Sequence, residues 1–222
     1  MGRKFAITLL FMIAICISVG TMTRISYKDY SVLKRDRMDL FVVGSGGSIS
    51  EETKDNKISD IESKSKAIVH VRYVGERKYL NKTVLSKVEV IEVYKGQESI
   101  DMKDKYIYVY EPSFFNFEKE YYMIVGAYTL MNENQEYILF LNNKSFPEAY
   151  KQSEKEKKEY VLTTNDSLSK YLISKEYQKN IIPNNSDYKY GEIKKYEVAT
   201  QNAEQLKLYN DCKSDVLKKY VH

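Results

Sequence analysis

The segment VLSKVEVIEVYKG, Val84 to Gly96, alternates apolar and polar side chains and then changes phase. Val84, Ser86, Val88 and Val90 fall on one face, as expected of a half-buried strand with a period of two. The apolar positions then shift to Ile91 and Val93, and Lys95-Gly96 closes the run. A phase change inside a long strand is the signature of a β-bulge, and bulges give a sheet the bend it needs to close on itself. This segment therefore predicts a curved sheet.

The flanking sequence supplies partners for it. Upstream, Ala67, Val69, Val71 and Tyr73 alternate with His70 and Arg72, a second period-two run. A short helix is expected before it, over Ile58 to Ser63, with Ile58 and Ile61 on one face. Downstream, YIYVY (Tyr106 to Tyr110) puts Ile107 and Val109 on one face and three tyrosines on the other, and Pro112 limits its extension. YYMIV (Tyr121 to Val125) reads as a fourth strand. YILFL (Tyr137 to Leu141) is nearly all apolar, which suits a central strand covered on both faces. YVLTT (Tyr160 to Thr164) is a candidate sixth strand, and a seventh is expected within YKYGEIKKYEV, Tyr188 to Val198. The Lys/Glu run from Glu148 to Glu159 is expected to be a solvated helix or loop. A closing helix is expected after Asn202, an N-cap residue with Gln205 at the capping-box position. Ala203, Leu206, Tyr209, Val216 and Tyr220 then form its stripe.

The amino terminus has a different character. The run FAITLLFMIAICISVGTM, Phe5 to Met22, carries no charge and follows the basic start MGRK. It is about as long as a bilayer core requires, roughly 17–25 residues. Three readings compete: an uncleaved anchor, a cleaved signal peptide with Ser18 and Gly20 before the cut, and a lipoprotein signal. Cys16 follows the bulky Ile15, which disfavours lipidation, and Ala6 lacks the hydroxyl that N-myristoylation requires. The length favours the anchor, a single-pass transmembrane helix. Arg24, Lys28, Lys34, Arg35 and Arg37 follow it and oppose export by the positive-inside rule. The layout of a basic start and apolar run nonetheless favours an extracellular C-terminal domain at the cell membrane, the alternative being secretion after cleavage. The expected organisation is thus a membrane anchor over 1–22, a juxtamembrane segment and flexible linker over 23–57 (with GSGGSISEETKDNK, Gly44 to Lys57, as the linker proper), and one domain over 58–222.

Composition narrows the function classes. Hydrophobic content is 43% and charged content 30%, so a packed core is accessible and general disorder is not expected. Net charge is only +4, with Lys and Glu interleaved. A nucleic-acid binder usually concentrates its basic residues, so no nucleic-acid partner is expected. Cys16 and Cys212 are the two cysteines, and their separation argues against a disulfide. No zinc-ligand spacing occurs, and histidine is limited to His70 and His222.

The order VEVIEVYKG, YIYVYEP and then NENQEYILFLNN resembles the netrin/TIMP-like (NTR) module, over about Ala67 to Asn143. The resemblance implies a small, closed or partly open antiparallel OB-like barrel with a helix packed against it. Similar modules occur in membrane-anchored and secreted proteins of Gram-positive bacteria. The superfamily's inhibitors hold a protease metal with an N-terminal cysteine fixed by disulfides. No such cysteine precedes the barrel here, so that mechanism is not implied. The expected fold class is mainly β with added α: such a barrel, a C-terminal helix and the N-terminal transmembrane segment.

Catalytic parts are scarce in the sequence. Neither Gly-x-Ser-x-Gly nor His-Glu-x-x-His occurs. His70 lies among strand valines, where a surface or structural histidine is expected. Cys212 has no histidine near it in sequence. Among 31 Asp and Glu residues no acid/base pair stands out; Asp101, Asp104, Glu118 and Glu120 read as loop charges. No enzyme activity, metal or cofactor is expected. The 21 tyrosines are the remaining oddity. Tyr106, Tyr108 and Tyr110 share one strand face, and aromatic faces bind sugars, peptides and cations. The reading is a membrane-anchored cell-surface binding or interaction protein. It contacts membrane lipid through residues 5–22, with a protein or cell-wall polymer as partner and Tyr106, Tyr108 and Tyr110 as the ligand face. The alternatives are a cell-envelope enzyme using carboxylates or an inhibitor or immunity-type protein.

Overall fold

The computed structural model describes residues 2–26, 34–46, 49, 58–98, 100, 105–182 and 188–221. The chain divides into two compact units, Met1–Asp36 and Arg37–His222.

In the first unit, helix α1 runs over Gly2–Ser26, 25 residues. Its described apolar side chains are exposed, among them Phe5, Leu10 and Phe11. The hydroxyls of Ser18, Thr21 and Thr23 donate to the carbonyls of Ala14, Ile17 and Val19, four residues back, at 2.7–2.8 Å. Among the described residues no helix is long and apolar enough to cross a membrane.

The second unit is a mixed β and α domain. Its elements in chain order are β1 (Val42–Gly46), α2 (Ile58–Lys64), β2 (Ala67–Tyr79), β3 (Val84–Lys95), β4 (Tyr106–Glu111), β5 (Phe114–Asn116), β6 (Tyr121–Val125), β7 (Glu136–Asn143), β8 (Glu159–Leu162), β9 (Lys170–Leu172), α3 (Tyr190–Ile193) and α4 (Ala203–Tyr220). Strands β2-β3-β4-β8-β7 are hydrogen-bonded in that order, and β7 pairs back onto β2, closing a five-strand barrel. All contacts around it are antiparallel except β4 with β8, where Tyr108, Val109 and Tyr110 pair in parallel with Glu159, Tyr160 and Val161. Strand β7 also pairs with β9 beyond the end of β8.

The phase change in β3 has a structural counterpart. Pairing with β2 runs Ile68↔Lys95 then Val69↔Val93, and His70↔Glu92 then Val71↔Val90, so Tyr94 and Ile91 are extra residues on β3. Val84, Ser86, Val88 and Val90 are buried and Val93 packs on the core. Ile91, expected on the shifted apolar face, is instead exposed as the bulged residue. A third irregularity sets Val74 to Glu76 against Lys87, with Gly75 at φ 83°. These bulges bend the longest strand pair, which is what closure requires.

Two apolar clusters result. One fills the barrel with Val69, Val71, Val88, Ile107, Val109, Leu139 and Leu141. The other lies outside it, where Ile68, Ile138 and Phe140 meet Leu206, Tyr209, Cys212 and Val216 of α4. Strand β7 is therefore buried on both faces, as its unbroken apolar run implies. Asn202 caps α4, its side chain accepting from the N–H groups of Glu204 and Gln205 at 2.8 and 3.3 Å.

Several expectations need correction. Gly44 does not begin a linker: Val42–Gly46 pairs in parallel with β6, in a separate three-strand sheet ordered β1-β6-β5. Phe41 secures that segment by packing its ring against Phe115 and Phe117, centroids 6.1 and 5.7 Å away. The remainder of the proposed linker, Ile49 apart, lies outside the described residues. Tyr121–Val125 is a strand of this small sheet and not of the barrel. YKYGEIKKYEV forms the single helical turn α3 between isolated bridges at Lys189 and Val198. Tyr190 and Ile193 are buried one turn apart, and the Lys189 N–H donates to Glu192 Oε2 at 3.0 Å. Gln205 closes no capping box, because its side-chain oxygen accepts from the Thr200 hydroxyl at 2.8 Å. Ala203 is exposed, whereas Cys212 and Lys213 join the buried side of α4.

Candidate ligand-binding groove

Strand β4 alternates strictly. Ile107, Val109 and Glu111 point into the barrel and are buried; Tyr106, Tyr108 and Tyr110 lie on its outer face, Tyr106 being 36% exposed. The tyrosine face identified from sequence is thus held on one rigid strand. Lysine ammonium groups lie over its rings. Lys87 Nζ is 4.6 Å from the Tyr106 centroid, Lys155 Nζ 5.4 Å from that of Tyr108 and Lys144 Nζ 4.8 Å from that of Tyr110. Ion pairs to Glu76 and Glu159 hold Lys87 and Lys144 there, and cation–π attraction adds to them.

Three polar groups converge at the end of the face. The Tyr110 hydroxyl donates to Glu159 Oε2 at 2.7 Å, and Lys144 Nζ donates to both the Tyr110 oxygen (2.9 Å) and Glu159 Oε2 (3.1 Å). Parallel pairing of β4 with β8 brings Tyr110 and Glu159 together, and Lys144 follows the last residue of β7. The hydrogen bond to Tyr110 and the Glu159 carboxylate hold the Lys144 pKa above the usual lysine value. Burial raises that of Tyr110.

Two open grooves meet at Lys144. The larger, about 480 Å³, is lined by Lys82, Thr83, Tyr110, Phe114, Lys144 and Asn165, with Pro112, Val125 and Val161 completing its walls. The smaller, about 220 Å³, is lined by Asn143, Lys144, Phe146, Gln152, Glu156, Lys157 and Glu159. The larger falls within the roughly 300–1,000 Å³ typical of small-molecule sites. The β7–β8 loop beside the smaller groove is braced from within. Phe146 stacks on Tyr150 at 5.3 Å with rings 4° from parallel. Glu156 accepts from the Ser153 N–H (2.9 Å), the Ser153 hydroxyl (2.8 Å) and the Tyr150 hydroxyl (2.7 Å). The Ser153 backbone bond, with the two hydroxyls, takes the Glu156 carboxyl down to about 2.

The other sequence candidates lie elsewhere. His70 is outside the barrel, with Nε2 2.8 Å from Glu136 Oε2, in a charged strip with Arg72 and Glu89. Glu118 and Glu120 belong to the β5–β6 turn; Asp101 and Asp104 lie outside the described residues. Among those residues no three His, Cys, Asp or Glu side chains converge to hold a metal ion.

A polar network inside the domain went unrecognised in the sequence. Buried Glu111 accepts from Ser86, from the Tyr128 hydroxyl at 2.9 Å and from the Met131 N–H at 2.8 Å. Fully buried Lys170 donates to the Thr129 carbonyl, with Nζ 4.2 Å from the Tyr128 ring. Lys213 pairs with Glu197 at 2.6 Å under α4. Glu111 had a detectable signal, since it shares inward parity with Ile107 and Val109. Lys144 and Glu159 carried none, as each sits at a strand end beside a charged loop. No protein-family model matches the chain, and no curated protein sequence does.

Proposed function

We propose that this chain is a membrane-tethered surface protein whose barrel binds a ligand on the tyrosine face of β4 and in the adjoining groove. The observation that carries the reading is the position of Lys144, common to both grooves and bonded to Tyr110. An open groove with aromatic walls and few convergent polar groups is suited to holding a ligand. The strand order gives further support. A five-strand barrel closed in the order first-second-third-fifth-fourth, with the third and fifth strands parallel, is the connectivity of an OB-like barrel. OB folds bind through the second and third strands and the loops joining the first two and the last two. Here those are β3, β4, the Lys82–Thr83 turn and the β7–β8 loop. The NTR-like reading fits the same barrel with its packed helix.

Tethering rests on the uncharged run from Phe5 to Met22. The apolar exposure of α1 supports it, as do the hydroxyls of Ser18, Thr21 and Thr23, which are satisfied inside the helix and need no water. The domain is proposed to lie outside the cell. Two measurements test this reading. An impermeant maleimide on intact cells should label a cysteine introduced at exposed Lys207; labelling only after lysis would reverse the orientation. A photoreactive phenylalanine analogue at Tyr108 should crosslink a surface component that the same group at Lys207 does not. Equal crosslinking from both positions would remove the binding face.

A further inference from the structure

The geometry points to an anionic saccharide unit as the occupant of the larger groove, an inference that rests on the binding role proposed above. Its walls offer two flat rings, Tyr110 and Phe114, on which a sugar ring can lie. Among the described residues its lining charges are Lys82 and Lys144, and no carboxylate lines it. Lys82 is exposed and has no ion-pair partner among the described residues. Lys144 has three N–H donors, and its acceptors among the described residues are the Tyr110 oxygen and Glu159 Oε2. One donor therefore remains for a ligand at the junction of the two grooves, with Nζ 4.8 Å from the Tyr110 centroid and 5.0 Å from that of Phe146. Thr83 and Asn165 add groups suited to sugar hydroxyls. A carboxylate or phosphate on the sugar supplies the acceptor that Lys82 lacks, and a further one for Lys144 beside Glu159.

The neighbouring groove limits how far the charge extends. Glu156 and Glu159 line it and offset Lys144 and Lys157, so a continuous polyanion such as a nucleic acid strand would meet two carboxylates and no excess of positive charge there. A glycan with its charge on one unit would not. Stacking of Phe146 on Tyr150 beside that groove gives a neutral neighbouring unit an apolar surface.

The test uses the full chain in neutral detergent micelles. The Thr83 and Asn165 amide signals are followed by NMR during titration with glucuronic acid, glucose 6-phosphate, glucose, acetate and inorganic phosphate. Glucuronic acid or glucose 6-phosphate should shift both signals and bind about tenfold tighter than glucose or the free anions, the ratio one charge-assisted hydrogen bond gives. Which of the two binds tighter identifies the anion. Lys82→Gln, at an exposed turn, should lose about that factor while Lys207→Gln does not. Glucose binding as tightly as its acids, or phosphate as tightly as glucose 6-phosphate, would overturn the inference. So would an oligothymidylate displacing the sugar acid, Lys82→Gln without effect, or no shift with any probe. Binding of neutral glucose would leave the binding role intact; that role falls only if crosslinking from positions 108 and 207 is equal.

Discussion

Arg77 Nη2 lies 3.3 Å from Glu111 Oε1 inside the barrel, with the Glu111 side chain fully buried and that of Arg77 11% exposed. The pair is embedded: Arg77 Nε also donates to the Ser86 hydroxyl at 3.1 Å, and Nη2 donates to the Met131 carbonyl. Removing one member of such a pair strands the other charge. Glu111→Ala should cost about 3–5 kcal/mol. A Glu111→Leu/Arg77→Met double variant should lose less than the sum of its single changes, because no lone charge remains. Urea denaturation of the four proteins of the cycle measures the coupling. Additive losses would show that the two side chains do not act together.

Lys170 gives the domain a pH response. Burial takes its pKa down to about 8, against the attraction of Glu111 and Glu197 and helped by repulsion from Arg77. Tyr128 and Tyr137 face the ammonium with their rings. The unfolded chain keeps this lysine protonated to about 10.4, so between those values it binds more protons than the folded chain does. Lys170 should therefore add stability from pH 8 toward pH 10, by at most about 1.4 kcal/mol per unit. Four buried tyrosines oppose that gain, and the net slope should reverse before pH 10. Burial holds the hydroxyls of Tyr122, Tyr128, Tyr171 and Tyr209 protonated in the fold, while the unfolded chain ionises them. Urea midpoints of the native chain and Lys170→Met across this range check the assignment: the native-minus-variant difference should rise from pH 8 toward pH 10.

The barrel was legible because its strands carry two local signals, alternation and phase. Residues 84–95 announced their own bulge, and the apolar run of β7 its double burial. What escaped depends on partners distant in sequence. Val42–Gly46 is a strand only because β6 offers an edge about 80 residues later, and its glycines read locally as a linker. Lys170–Leu172 is too short to show a period. Tyr188 and Tyr190 alternate as in a strand, whereas Tyr190 and Ile193 share a face only in a helical turn, and backbone pairing decides between the two. The candidate site was half legible. Tyr106, Tyr108 and Tyr110 follow from parity on one strand. Lys144 and Glu159 meet Tyr110 only through the parallel register of β4 with β8, which no local pattern encodes.

Two glycines with positive φ separate backbone from side-chain cost. Gly96 has φ 82° and Gly75 φ 83°, so alanine is strained at both. A Cβ at Gly96 would press on the Lys66 carbonyl oxygen, main chain at the start of the barrel, whereas one at Gly75 would meet the flexible side chain of Glu133. Gly75→Ala should cost about 1 kcal/mol and Gly96→Ala about 1–3 kcal/mol more. Thermal unfolding of both variants reads the difference. Equal losses would mean that the close approach at Gly96 relaxes freely.

Cys212 offers a direct readout of the seam between α4 and the barrel. It is 7% exposed and packs in the cluster containing Tyr171 and Tyr209, whose rings stack at 5.3 Å. Burial raises its thiol pKa, and Asp215 adds to the rise. The thiolate is the reactive form, so both access and ionisation oppose alkylation. In a Cys16→Ser background, N-ethylmaleimide at pH 7.5 should modify Cys212 at least about a hundredfold more slowly than a cysteine placed at exposed Lys207, and equally fast in denaturant. The slow rate should follow opening of this seam, so Val216→Ala, which leaves a cavity beside it, should accelerate labelling. Mass spectrometry over time resolves the two sites. Rapid modification of Cys212 in the folded chain would mean that α4 lifts from the barrel on its own, and the outer cluster of Ile68, Ile138 and Phe140 would then be exposed whenever it did.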